Sequence, residues 1–312
     1  MSMPTLRAFL RLIRWPNLIF IALTQWLVYA CVYRPLFELP VQAPVDGKIF
    51  FWILASVAIA AAGYVINDYF DINIDEVNRP HRQVVDKIIS RRWAMLWHFL
   101  LSTTGLAFTA LAIHWETHAY LFFANVLCVG ALWFYSTHLK KSLLIGNILI
   151  ALLTSWTIWV IFLSRFSWTE LFNHPNETQQ KFTRVVLLYA GFSFVITLIR
   201  EAIKDMEDRI GDARAGCRTL PIVWGFPAAK VYASVWTVVL IGSLIVVHAY
   251  VLPFGWWWVS AFGFIALIIP LMIFLSRLIK AQEAPAFHSL SQILKWVMLA
   301  GILSLGFFYF IL

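Results

Sequence analysis

The chain has 312 residues, of which 24 are Lys or Arg and 16 are Asp or Glu, giving a formal net charge of +8. Apolar types make up 61% and charged types 13%, with a mean hydropathy of +0.78, whereas a soluble globular domain is about 25% charged and about 45–50% apolar. This composition excludes a soluble enzyme, a secreted disulfide scaffold and a disordered chain, and the surplus of positive charge reads as loop bias in a polytopic membrane protein, with no nucleic-acid partner.

A bilayer-spanning helix needs about 20 mostly apolar residues. Taken from the N-terminus, the stretches that qualify are 15–33, 49–66, 93–113, 119–135, 143–163, 183–200, 230–251, 255–276 and 293–311. The expected fold is therefore an all-α integral membrane domain covering 1–312, with nine transmembrane helices around a central cavity. The N-terminal segment and the even-numbered loops hold 19 of the 24 Lys and Arg residues, Lys295 among them. The positive-inside rule then puts the N-terminus in the cytoplasm and Leu312 outside. Cys31, Cys128 and Cys217 are widely separated and form no C-x-x-C, so neither a disulfide framework nor a zinc site is indicated.

After the second stretch the chain reads Asn67-Asp68-Tyr69-Phe70-Asp71-Ile72-Asn73-Ile74-Asp75, and after the sixth Lys204-Asp205-Met206-Glu207-Asp208-Arg209-Ile210-Gly211-Asp212. Both contain D-x-x-D-x-x-x-D, the second copy lying 137 positions after the first. On a continuous helix such positions share an arc of roughly 60°. Three carboxylates on one face repel unless a cation sits among them. All-oxygen ligands suit Mg²⁺ or Mn²⁺, and Mg²⁺ is commonly held by one or two carboxylates together with substrate phosphates. Arg79 and Arg82 follow the first block and Arg200 and Lys204 lead into the second, an alternation that suits a metal-bridged di- or polyphosphate. At the mouth of a greasy bundle the natural ligand is a polyprenyl diphosphate, ionised there to an allylic cation that aromatic faces and a dry pocket protect. A cation transporter would place carboxylates at mid-span, whereas the ten acids of the two loops are expected at or beyond helix ends.

These blocks, with Arg14-Trp15-Pro16-Asn17 at the start of the first stretch, Asn78-Arg79-Pro80-His81-Arg82 after the first block, Tyr135 and Lys140, and Gly146-Asn147, resemble the UbiA superfamily of intramembrane prenyltransferases. The resemblance covers nearly the whole chain. It implies nine spanning helices with the two Asp-rich motifs in cytoplasmic loops. It also implies Mg²⁺ as cofactor and a polyprenyl diphosphate and a lipophilic acceptor as partners within membrane lipid. Carried over by position, it makes Asn67, Asp71, Asp75, Asp208 and Asp212 the principal Mg²⁺-diphosphate residues and Asp68 and Asp205 supporting metal ligands. Arg79, Arg82, Lys140 and Lys204 are then phosphate contacts, with Asn17, Tyr135 and Asn147 as further substrate contacts. One departure is the fourth loop: the family commonly has Tyr-x-x-x-Lys, and here five positions separate Tyr135 from Lys140. Asn17 and Asn147 also suit interhelical hydrogen bonding. The last block, through Gly216-Cys217-Arg218-Thr219-Leu220-Pro221, is most similar to the digeranylgeranylglyceryl phosphate synthase branch. That likeness implies geranylgeranyl transfer to a prenylglyceryl phosphate in ether-lipid synthesis. Prenylation of an aromatic quinone precursor and terpene cyclisation stay open beside it.

Overall fold

The computed structural model describes residues 3–40, 44–78, 80, 83–167, 169–170 and 175–311; Arg79 and Arg82 lie outside the described residues. Among the described residues nine helices are long and apolar enough to cross a membrane. They are α2 (Trp15–Leu36), α3 (Lys48–Phe70), α5 (Arg91–Ala112), α6 (Trp115–Thr137), α7 (Ile145–Leu163), α8 (Glu177–Glu207), α11 (Gly225–Phe254), α12 (Trp257–Lys280) and α13 (Ala284–Ile311). Four short helices connect them: α1 (Met3–Leu12), α4 (Ile72–Asn78), α9 (Arg209–Arg214) and α10 (Leu220–Val223).

Small residues decide which helices sit at the centre. On α3, Ala55, Ala58, Ala61, Ala62 and Gly63 are all buried, which lets neighbouring backbones approach closely as membrane helix pairs require. Gly105 of α5 lies directly against Ile59. By contrast, Val231, Val235, Val238 and Val246 of α11 are exposed; such an apolar stripe would be an aggregation surface in water and is a lipid-facing surface here.

The bundle is sealed at the end opposite the Asp-rich motifs. Tyr33, Phe37, Phe162, Phe166 and Phe182 interlock there, with neighbouring ring centroids 4.8–6.3 Å apart. Arg165 lies over the Tyr29 ring at 5.1 Å and reaches Asp46 at 2.7 Å.

The nine expected stretches each overlap one of these helices, and the sixth and ninth helices reach furthest beyond them. The sixth, expected over 183–200, runs Glu177–Glu207, and the ninth, expected over 293–311, begins at Ala284. Both extensions carry polar side chains that face the interior, and a hydropathy window ends where those begin. Lys295, counted with the cytoplasmic charge although it falls inside the ninth stretch, lies eleven residues into α13.

Candidate functional site

The helix breaks in the middle of both Asp blocks. Asp71 ends α3 with φ −91° and ψ 3°, and Asp208 ends α8 with φ −93° and ψ 4°, both in the bridge region that stops an α-helix. The chain restarts as α4 and α9, which pack against each other. The expected single face of three carboxylates is thus replaced by a hinged arrangement. The first Asp of each block stays on the long helix, the second sits at the corner, and the third lies on the short helix. Glu201 and Asp205 lie inside α8, not at or beyond its end, and Asp68 lies inside the last turn of α3.

Side chains tie this corner together. Asn67 donates Nδ2–H to Asp71 Oδ2 at 2.7 Å, and Lys140 forms an ion pair with the same carboxylate. Asn147 donates to Asp205 Oδ2 at 2.8 Å, so it joins α7 to α8 and faces the second block at once. Asn78 spans the two blocks: its Nδ2 donates to the Asp208 carbonyl at 2.9 Å and its Oδ1 accepts from Gly211 N–H at 2.8 Å. A Cβ at Gly211 would stand 2.6 Å from the Asn78 amide, so only glycine admits this clamp without displacement. Lys140 is placed by the turn Leu139–Lys141, which packs on Gly146, where a Cβ would meet the Leu139 carbonyl at 2.8 Å. Arg218 N–H donates to the Lys141 carbonyl at 2.8 Å, and Cys217 N–H to the Asp212 carbonyl at 2.9 Å. The tight turn after Thr137 absorbs the extra residue between Tyr135 and Lys140, and both side chains line the same cavity.

That cavity, of about 260 Å³, opens between α4 and α9 and runs inward among α2, α3, α6, α7, α8 and α13. Asn17, Asn67, Asp71, Asp75, Tyr135, Lys140, Asn147, Lys204, Asp205, Asp208 and Asp212 all line it. Asp68 does not: its Oδ1 accepts from Arg14 at 2.8 Å, because it points from the last turn of α3 toward the start of α2. It orients Arg14, which is itself on the cavity wall, so the structure places Asp68 behind the cavity lining, on a cation that the cavity presents. Arg14 holds a left-handed backbone at φ 51°, a strained conformation that costs of order 1–3 kcal/mol in a non-glycine residue and tends to persist at functional sites. Its guanidinium lies 4.9 Å from the Tyr64 ring centroid, and Tyr64 OH accepts from Asn17 at 3.2 Å. Sequence reasoning did not single out Arg14, Asn78 or Glu201 as site residues. All three stand within the stretches that carry the family resemblance, Glu201 directly after Arg200 at the head of the second block.

The electrostatics of the mouth favour a divalent cation. Burial, reinforced by Asp68 and Asp71, pushes the Asp75 carboxyl up to about 6. Burial also pushes Asp212 up to about 7, Asp208 and Asp71 adding to it while Lys140 opposes. Burial disfavours the Lys140 charge, but Asp71, with Asp212 and Asp75, outweighs it and holds the ammonium above its usual range. Asp212 Oδ1 is buried and has no hydrogen-bond partner. Among the described residues no three acidic, His or Cys side chains converge as a preformed cage. Oxygen donors under-compensated on both sides of a cleft, short of a full shell, fit Mg²⁺ completed by phosphate oxygens.

A pH dependence follows. Because Asp75 and Asp212 titrate above the ordinary carboxylate value of 3.8, their ionised forms cost stability as pH rises through about 4 to 7, and a cation between them removes that cost. Mg²⁺ should therefore raise the melting temperature at pH 8, with the gain shrinking as pH falls through 7 and 6. An equal gain at pH 5.5 and pH 8 would contradict this placement of charge.

The model of the UbiA prenyltransferase family matches residues 26–299. The digeranylgeranylglyceryl phosphate synthase of Methanothermobacter thermautotrophicus is 31% identical over 265 residues, covering 81% of this chain and 84% of that protein. A solved structure concerned with digeranylgeranylglyceryl phosphate synthase in membranes superposes with a TM-score of 0.62 at 24% identity, covering 97% of this chain and 99% of that one. A UbiA homolog from Archaeoglobus fulgidus, solved with GPP and Mg²⁺, gives a TM-score of 0.59 at 14% identity, covering 96% and 99%. These two structural likenesses bear on the fold.

Proposed function

The chain belongs to the UbiA prenyltransferase family, and from that premise we propose that it transfers a geranylgeranyl group from its diphosphate to the hydroxyl of a prenylglyceryl phosphate, with Mg²⁺ as cofactor. The observation that carries the reading is the pair of helix breaks at Asp71 and Asp208, which face one cavity that continues inward past Ile59, Ala60, Leu132, Ile150 and Leu153. The curated relatives support the acceptor by their name, digeranylgeranylglyceryl phosphate synthase. The Lys and Arg distribution supports a cytoplasmic mouth with the N-terminus on the same side.

In this reading the diphosphate sits at the mouth between Asp71 and Asp75 of one half and Asp208 and Asp212 of the other, and these four carboxylates hold the metal. Bound Mg²⁺ supplies charge neutralisation for the departing diphosphate. Lys140, fixed by Asp71, adds a positive charge where negative charge develops on the leaving oxygen. Arg14, fixed by Asp68, offers a second cation from the opposite wall. The prenyl tail runs inward along Ile59, Ala60, Leu132, Ile150 and Leu153, where water is excluded and the allylic cation survives until the acceptor reaches it. Tyr64 and Tyr135 line the same cavity, and aromatic rings beside the reacting carbon stabilise positive charge.

Incubation of purified protein with Mg²⁺, geranylgeranyl diphosphate and a panel of acceptors, read by mass spectrometry, tests this directly. The expected product is the ether of geranylgeranylglyceryl phosphate, with one diphosphate released per transfer. A cyclised hydrocarbon formed without acceptor, or product only from a hydroxybenzoate, would overturn the assignment.

A further inference from the structure

Two cations stand inside the spanning part of the bundle, away from the Asp corners. Lys295 is eleven residues into α13, about 16 Å along the axis, and Arg200 is seven residues before the end of α8, about 10 Å at the helical rise per residue. Both line the cavity, as do Thr197 and Met298 one turn away, and α8 packs directly against α13. A charge at such depth is costly and persists where it is used.

This wall is rich in donors and poor in acceptors. Glu201 accepts from Arg200 Nη1 at 3.2 Å and from Lys204 Nζ at 3.3 Å, so one carboxylate serves two cations. Asp205, the neighbouring acid, is engaged by Asn147. Arg200 Nε and Thr197 Oγ1 are each buried with no hydrogen-bond partner. They lie three residues apart on one helix, so they share a face. The mouth, by contrast, sets Asp71, Asp75, Asp208 and Asp212 against Lys140 and Arg14, so an anion there needs a metal to offset the four carboxylates.

We propose that Arg200, Lys295 and Thr197 form a second, metal-independent anion subsite that binds the phosphomonoester headgroup of the acceptor and selects a phosphorylated acceptor over the neutral alcohol. This rests on the reading of the acceptor as a prenylglyceryl phosphate. A guanidinium Nε–H, an ammonium and a hydroxyl are the donors a phosphate dianion requires, and an acceptor held there lies in the same cavity as the donor's reacting carbon.

The test is steady-state kinetics at saturating geranylgeranyl diphosphate, varying either geranylgeranylglyceryl phosphate or geranylgeranylglycerol. The wild-type protein should prefer the phosphate, and Lys295→Met should raise its KM by about 10- to 100-fold, the loss of a charged hydrogen bond. Lys295→Met should leave the KM for geranylgeranyl diphosphate and the Mg²⁺ dependence unchanged, and Lys295→Arg should restore most of the preference. Thr197→Val, which keeps the side-chain shape, should give a smaller rise of the same kind and serves if Lys295→Met does not fold. Unchanged acceptor KM in Thr197→Val and in folded Lys295→Met overturns the subsite. A wild-type protein that makes no product from the phosphorylated acceptor overturns the acceptor reading itself, which distinguishes the two failures.

Discussion

Replacing Asp71 or Asp208 by Ala is expected to abolish diphosphate release, lowering turnover by about 10³-fold or more, while the protein still inserts with its helical content intact. Each residue is the corner of its block, where the long helix stops and the short one begins. Loss of Asp71 removes the acceptor that fixes Lys140 and Asn67, so the proposed metal ligand and the placement of a cation disappear together. Asp86→Ala provides the control: that carboxylate pairs with Arg91 at 3.0 Å, with both side chains about half exposed, and its removal should leave turnover unchanged. Retained Mg²⁺-dependent turnover in both Asp71→Ala and Asp208→Ala would remove these residues from the mechanism.

Gly211→Ala is expected to cost both stability and rate. The added Cβ would meet the Asn78 amide at 2.6 Å, and Asn78 cannot move without giving up its bonds to Asp208 and Gly211. Overpacking of this kind costs about 1–3 kcal/mol, and an ångström-scale shift of one block against the other costs about 10²-fold in rate. Since the clash is with Asn78, Asn78→Ala should partly relieve it, so the double variant should be less impaired than the two single effects combined. Melting temperature and turnover across the four proteins measure this. Simple additivity would show that Asn78 does not couple the blocks.

The membrane helices were legible because apolar runs of the required length are unambiguous, and the two blocks because identical carboxylate spacing recurs at corresponding places. Periodicity alone misled on how those carboxylates are presented. A D-x-x-D-x-x-x-D stretch reads as one helical face, and nothing in the spacing announces that Asp71 and Asp208 turn the corner. The direction of Asp68 was not legible either, since it depends on Arg14, 54 positions away. Asn78 escaped notice for a related reason: its partners are at Asp208 and Gly211, about 130 residues on. Lys295 was counted only as part of the cytoplasmic charge bias, whereas a cavity-lining helix carries charge within its length. The likeness of Tyr135 and Lys140 to the family pattern looked weakened by their spacing, yet the turn at Leu139–Lys141 brings both to the cavity.

The central claim is that the two Asp corners act together, through Mg²⁺, on one diphosphate. Equilibrium binding of an unreactive geranylgeranyl thiolodiphosphate, titrated with and without Mg²⁺ in the wild-type protein, Asp71→Asn and Asp208→Asn, tests it most directly because it reads binding apart from turnover. The account predicts tight, Mg²⁺-dependent binding in the wild-type protein and its loss in either variant alone. Binding that is indifferent to Mg²⁺, or that survives in one of the two variants, would contradict it.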